Sequence, residues 1–226
     1  MELYLKKLTV SVLIVLNLTL CTFSLSAYSF KVPYISADAG ILYLGNSDTD
    51  SAPSPILRTI GTTVPFFYQS LLDELTFVIK GQILFWSGYY YFNGSRALPQ
   101  EVEAPGEKWN WVLATTIDPR FAFEYSFNHS ITAGLDIGLA FLLRFPIISS
   151  ESSSENSSQI LQYFFSNGRF FYPENNLYII WNVFDNLALS FSLKFMYPIF
   201  HLWDTENLPF YDQFILSALI GFMIKI

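Results

Sequence analysis

From Ile131 to Phe145 every odd-numbered position is apolar: Ile131, Ala133, Leu135, Ile137, Leu139, Phe141, Leu143 and Phe145. The even positions between them hold Thr132, Gly134, Asp136, Gly138, Ala140, Leu142 and Arg144, mostly small or charged. A period of two places these sets on opposite faces of a β-strand. The pattern returns at the end of the chain, where Phe214, Leu216, Ala218, Ile220, Phe222, Ile224 and Ile226 alternate with Gln213, Ser217, Gly221 and Lys225. Hydrocarbon offers no partner to a backbone N–H or C=O, so a sheet that crosses a bilayer must close on itself and turn its apolar face outward. Long strands of this kind predict an all-β fold, an antiparallel transmembrane up-and-down β-barrel.

Read onward from Tyr28, the alternation marks eight segments, at about residues 30–44, 56–68, 75–91, 109–127, 130–147, 169–184, 187–202 and 211–226. The connections between them alternate in length. Residues 45–55 are polar, with Asn46, Asp48, Asp50 and two prolines; residues 93–107 are long and acidic; residues 149–168 read as a Ser/Glu/Asn-rich loop; and a fourth loop surrounds residues 204–209. Between these lie tight turns at residues 69–74, at Asn128-His129 and at Asp185-Asn186, the last a strong hairpin signal. Long loops at one end, short turns at the other and an even strand count are the habit of outer-membrane barrels.

Two other folds compete. A helical membrane protein would place Asp136 and Arg144 inside a span, at about 2.5–3.5 kcal/mol each near its centre. On the inward face of a barrel that cost largely disappears. A soluble lipocalin-like barrel inverts the pattern, apolar within and polar without, and its outer face should be rich in Lys and Glu. Here the polar face is mainly Gly, Ala, Ser and Thr.

Residues 1–27 read as a secretory signal peptide, with Lys6 and Lys7 ahead of an apolar run over 8–20 and Ser24, Ser26 and Ala27 at the cleavage end. The run is shorter than the roughly 20 residues a spanning helix needs. Lipoprotein processing at Cys21 is the competing reading: Leu18 suits it, and Leu20 stands where a small residue is usual. Residues 28–226 then form a single barrel domain. Cys21 is the one cysteine, so a chain cut after Ala27 has no disulfide, thiolate metal site or cysteine nucleophile. The chain is 52% hydrophobic and 19% aromatic, and its net charge of −7 argues against nucleic acid as a partner.

The register that sends the apolar set outward turns Asp38, Lys80, Gln82, Asp118, Arg120, Glu124, Asp136, Arg144 and Lys194 into the lumen, as a polar network. Ser36, Gly40, Thr76, Thr132, Ser190 and Ser192 share that face, while the second and sixth segments alternate too poorly to assign. Eight strands leave an interior just wide enough for side chains. A partly desolvated charge needs a partner. Asp38, Asp118, Glu124 and Asp136 interlocked with Lys80, Arg120, Arg144 and Lys194 would form a plug. A narrow polar path is the alternative.

Trp86, Tyr89, Tyr90, Tyr91, Trp109, Trp111, Phe121, Phe123, Tyr125, Phe127, Phe195 and Tyr197 cluster where strands should meet lipid headgroups, as aromatic girdles. Catalytic chemistry is weakly marked. His129 sits in a tight turn; His201 lies near Asp204, a pair that acyl transfer would need, but nothing marks a nucleophile. Glu101, Glu103 and Glu107 match no cation-binding loop. The sequence predicts no enzyme, no catalytic or metal residues and no cofactor.

Signal peptide, four hairpins and closing strand together resemble the small outer-membrane β-barrels of diderm bacteria, the outer membrane protein W, X and A-type barrels. The most specific part is residues 214–226, which look like the signal read by the barrel-assembly machinery, here ending in Ile226 where an aromatic residue is common. The resemblance implies a monomer in outer-membrane lipid with its outer loops extracellular. It also implies a role in passing small or hydrophobic solutes or, alternatively, a non-conducting barrel for adhesion or structure that meets an extracellular ligand through those loops.

Overall fold

The computed structural model describes residues 34–47, 54–100, 109–147, 154–204 and 208–226. The signal peptide, Cys21 and the acids Glu101, Glu103 and Glu107 lie outside the described residues. Eight strands make the wall: β1 (Tyr34–Leu44), β2 (Ile56–Ser70), β3 (Leu75–Phe92), β5 (Trp109–Ser126), β6 (Ile131–Ile147), β7 (Phe171–Phe184), β8 (Leu187–Met196) and β9 (Ile215–Lys225). A ninth, β4 (Ala97–Gln100), folds back on the outer end of β3. Each wall strand pairs antiparallel with the next, β2 also pairs with β3, and β9 pairs with β1 from Tyr34↔Lys225 to Leu44↔Ile215. The sheet is therefore closed, and every wall strand has two neighbours.

Alternation sets the two faces. Ile41, Ile60, Ile83, Ile117, Phe121, Leu135, Ile137, Leu177, Ile179, Phe191, Leu193, Ile220 and Phe222 all point outward and are exposed, the band that lipid covers. Among the described residues no helix is long and apolar enough to cross a membrane, so the crossing belongs to the strands. Phe121, Phe123, Tyr125 and Phe127 line the outer wall near the short turns, with Phe77 packed on Phe121 and Phe123. Trp111, Tyr89 and Trp109 hold the opposite rim. Trp86 and Tyr90, expected in that girdle, are buried inside the barrel, because they share the parity of Lys80 and Gln82.

The short turns close as local hydrogen bonds dictate: Asn128 Oδ1 accepts from the N–H groups of Ser130 and Ile131 at 2.8 and 2.9 Å. The long connections depart from the expected loops. Residues expected as a serine-rich loop contain an α-helix, α1 (Ser154–Phe165). Composition hid it, since the stability of such a short helix comes from packing one face, here Ile160, Tyr163 and Phe164, rather than from propensity. The seventh strand stops at Met196 rather than Leu202. Pro198 follows, and a 3-10 turn (Ile199–Leu202) buries Phe200. In β2 the register slips between Pro65 and Phe67, at a proline that has no N–H for the ladder. That slip explains why its alternation could not be read.

Candidate functional site

Inside the wall the side chains form three layers. Toward the long loops lies an apolar layer of Leu42, Leu84, Trp86, Leu142, Tyr172 and Met196, with Ile160, Tyr163 and Phe164 of α1 descending into it from above. Toward the short turns lies a small cluster of Tyr34, Tyr178, Ile180, Ala188 and Met223. The charged side chains occupy the middle.

There Lys194, with no exposed surface, is held between two acids: its Nζ contacts Asp118 Oδ2 and lies 2.7 Å from Glu174 Oε2. Lys80 Nζ stands 2.9 Å from Asp136 Oδ1, 3.8 Å from Glu124 Oε1 and 3.7 Å above the Tyr178 ring. Arg120 bonds the other oxygen of Asp136 at 3.0 Å, and its Nε lies 3.8 Å from Glu174. Tyr178 donates to Glu124 at 2.8 Å, and Asn176 to Asp136 at 3.0 Å. Glycine makes this density possible. A Cβ on Gly138 would stand 2.5 Å from Arg120 Cγ and 3.0 Å from Glu174 Oε1.

Two of the nine residues assigned to the network stand apart. Asp38 meets no base within salt-bridge distance among the described residues; it accepts from Ser36 at 2.5 Å, Thr63 at 2.5 Å and Gln82 at 2.9 Å. Arg144 is buried but lies outside the middle layer. Gly138, Ala140 and Leu142 separate it from Asp136 along the inward face of β6, which carries it up to the barrel mouth. There it donates to the Arg169 carbonyl at 2.9 Å and lies 4.0 Å above the Phe164 ring. Glu174, Asn176 and Tyr178, all on β7, were not assigned from the sequence. The outer end of β7 carries Pro173 and Asn175 on its outward face, with Asn175 accepting from Tyr197, and this obscures the alternation. The outward set Leu177, Ile179 and Trp181 was the signal that would have revealed the inward one.

A second polar cluster ties the long connections together over the mouth. Asp212, fully buried, takes Arg96 Nη2 at 2.6 Å and the N–H and hydroxyl of Ser47 at 2.9 and 2.8 Å. Burial works against the Arg96 charge, but the Asp212 carboxylate outweighs it and raises its pKa above the usual guanidinium value. His201 Nδ1 is 3.0 Å from Asp204 Oδ2, and its Nε2 is 2.9 Å from the Asp212 carbonyl. Both ring nitrogens thus face cap oxygens, and none of the described serines is hydrogen-bonded to His201. Arg169 reaches Asp204 at 3.8 Å and stacks on Tyr163 of α1 at 4.2 Å.

Among the described residues, the open space found inside the wall is small. A cavity of about 30 Å³ lies where the middle layer meets the short-turn cluster, lined by Asp38, Lys80, Arg120 and Asn176 on one side and by Tyr34 and Met223 on the other. A larger concavity, about 750 Å³, lies on the wall around Ala39, Ile41, Phe191 and Ala218. Its outward side chains are in the lipid band, so acyl chains cover it.

Solved structures share this architecture. Neisserial surface protein A is similar over 85% of this chain and 96% of its own, with a TM-score of 0.50 and 11% identity. The outer membrane enzyme PagL (TM-score 0.43, 13% identity, 85% and 99% covered) is also similar. So is Ail, the attachment invasion locus protein of Yersinia pestis (0.42, 9%, 85% and 95%). No family model matches the sequence, and no curated protein does.

Proposed function

We propose that this chain, a small antiparallel eight-stranded β-barrel of the outer membrane of a diderm bacterium, is non-conducting and acts through the surface its outer loops present. The observation that carries the reading is the filling of the mouth. Ile160, Phe164 and Phe200 are fully buried there over an apolar layer, and beneath it the paired charges leave a cavity of about 30 Å³. That volume holds a water or two and no solute. The salt bridges then act as a plug, and the cap built on Asp212, Arg96, His201 and Arg169 holds the described parts of the long connections in a fixed arrangement. A fixed arrangement lowers the entropy cost of meeting an extracellular ligand.

Planar-bilayer recording tests it. The intact barrel gives no steady conductance steps, and neither does a variant with residues 154–165 replaced by a short Gly-Ser linker, because the charged layer beneath still fills the lumen. Regular steps from the intact chain would instead establish solute passage. Cells carrying a variant with both 93–108 and 148–170 cut to short turns keep the folded barrel and lose surface attachment.

A further inference from the structure

The lipid face of the wall carries one charge among the described residues. Arg58 alternates with the buried Leu57 and Thr59 on β2, so it points outward and is exposed. No described acid stands within salt-bridge distance of it. A charge on that face is tolerated better the nearer it lies to the headgroups. Arg58 is two residues from the long-loop end of β2 at Ile56, and Ile56 pairs with Tyr43, which is 37% exposed. An arginine there keeps its stem on apolar surface and lifts its guanidinium to headgroup level.

The neighbours of Arg58 on that face suit an oxyanion. Ser87 stands beside it on β3, one position beyond the Thr59↔Trp86 pair, and shares the outward parity of Ile83 and Phe85. Tyr43 is its diagonal neighbour on β1, at the roughly 7–8 Å spacing that long side chains bridge. A guanidinium flanked by two hydroxyl-bearing residues and no carboxylate matches phosphate, whose oxygens accept from the guanidinium fork in parallel.

Arg58 also heads an apolar row. Its partner Ile41 pairs with Ala218, Ala218 with Leu193, and Leu193 with Leu177. Those four residues line the wall concavity of about 750 Å³. Barrel strands are tilted, so a row of paired residues runs obliquely down the wall. Its far end lies at Ala133, two residues from the short-turn end of β6. We propose that Arg58 and this concavity bind one anionic, phosphate-bearing lipid of the outer leaflet, with the phosphate on the guanidinium and an acyl chain along the row. The charge selects the head, and the apolar row holds the chain.

The test is native mass spectrometry of the full-length protein released from zwitterionic micelles that carry either lipid A with its phosphates or the same lipid dephosphorylated. The parent retains one phosphorylated lipid per barrel and about tenfold less of the dephosphorylated form, the loss expected of a hydrogen bond to a charged group. Arg58→Gln takes a charge off the lipid face, folds at least as well, and holds the two lipids equally and weakly. Arg58→Lys restores part of the preference. Ala218→Phe, which faces lipid and fills the concavity, weakens retention of both lipids and keeps the preference for phosphate. Heat-modifiable gel mobility shows that each variant is folded. Inorganic phosphate at the same molar excess leaves the lipid in place. Equal retention of the two lipids by the parent, undiminished binding by Arg58→Gln, or displacement by inorganic phosphate would overturn the proposal. So would a dimer that Arg58→Gln abolishes, which would give this face to a second copy of the chain.

Discussion

Lys194 is a fully buried ammonium that serves both Asp118 and Glu174. Removing a partner from a buried pair strands the charges that remain, at about 3–5 kcal/mol. Lys194→Met should therefore destabilise the barrel by about that amount in denaturant unfolding from micelles. Adding Glu174→Gln to the same chain should recover part of the loss. A loss below about 1 kcal/mol, the scale of exposed ion pairs, would mean that water screens the lumen. At this scale much was legible from parity alone. Lys80, Gln82, Asp118, Arg120, Asp136 and Lys194 sit on strands whose alternation is clean. Glu174 was not legible, because the polar rim of β7 broke the pattern that would have placed it.

Among the elements, β9 and α1 mark the limits of reading by pattern. Each residue of β9 is dictated by two neighbouring strands and one bilayer, so Ile220 and Phe222 turn to lipid and Ser217 and Gly221 turn in. Asp at Phe222 should prevent folding, while Asp at Ser217, which is 2% exposed on the inward face, should cost much less. Heat-modifiable gel mobility and protease resistance of the refolded variants check this. Equal tolerance at the two positions would mean that the inside–outside register is wrong. Nothing comparable dictates α1. Its buried face is matched to a cavity that exists only once eight strands have closed, and no local period records the shape of that cavity. The 3-10 turn after Met196 has the same origin, since Phe200 is drawn inward by Tyr172 across the mouth.

At the scale of the whole molecule, the long connections sit at one end and the short turns at the other, and the outer membrane fixes which end faces out. Epitope tags placed within 93–107 and 149–168 should be reached by antibody on intact cells, and tags at Asn128 or Asp185 only after permeabilisation. The opposite labelling would reverse the topology. The seam between β1 and β9 carries a kinetic consequence. Every other pair of wall strands is adjacent in sequence, so it can zip as a hairpin with little loop entropy. The seam alone joins the two ends of the barrel, Asp38 to Gly221, and is the one pairing of wall strands with a high sequence separation. Assembly therefore has one slow event, a latch that shuts after the hairpins are in place. Until it shuts, the lumen charges face an open edge in lipid. A chain whose charges are this deeply paired cannot remain half closed for long, and its insertion is close to all-or-none.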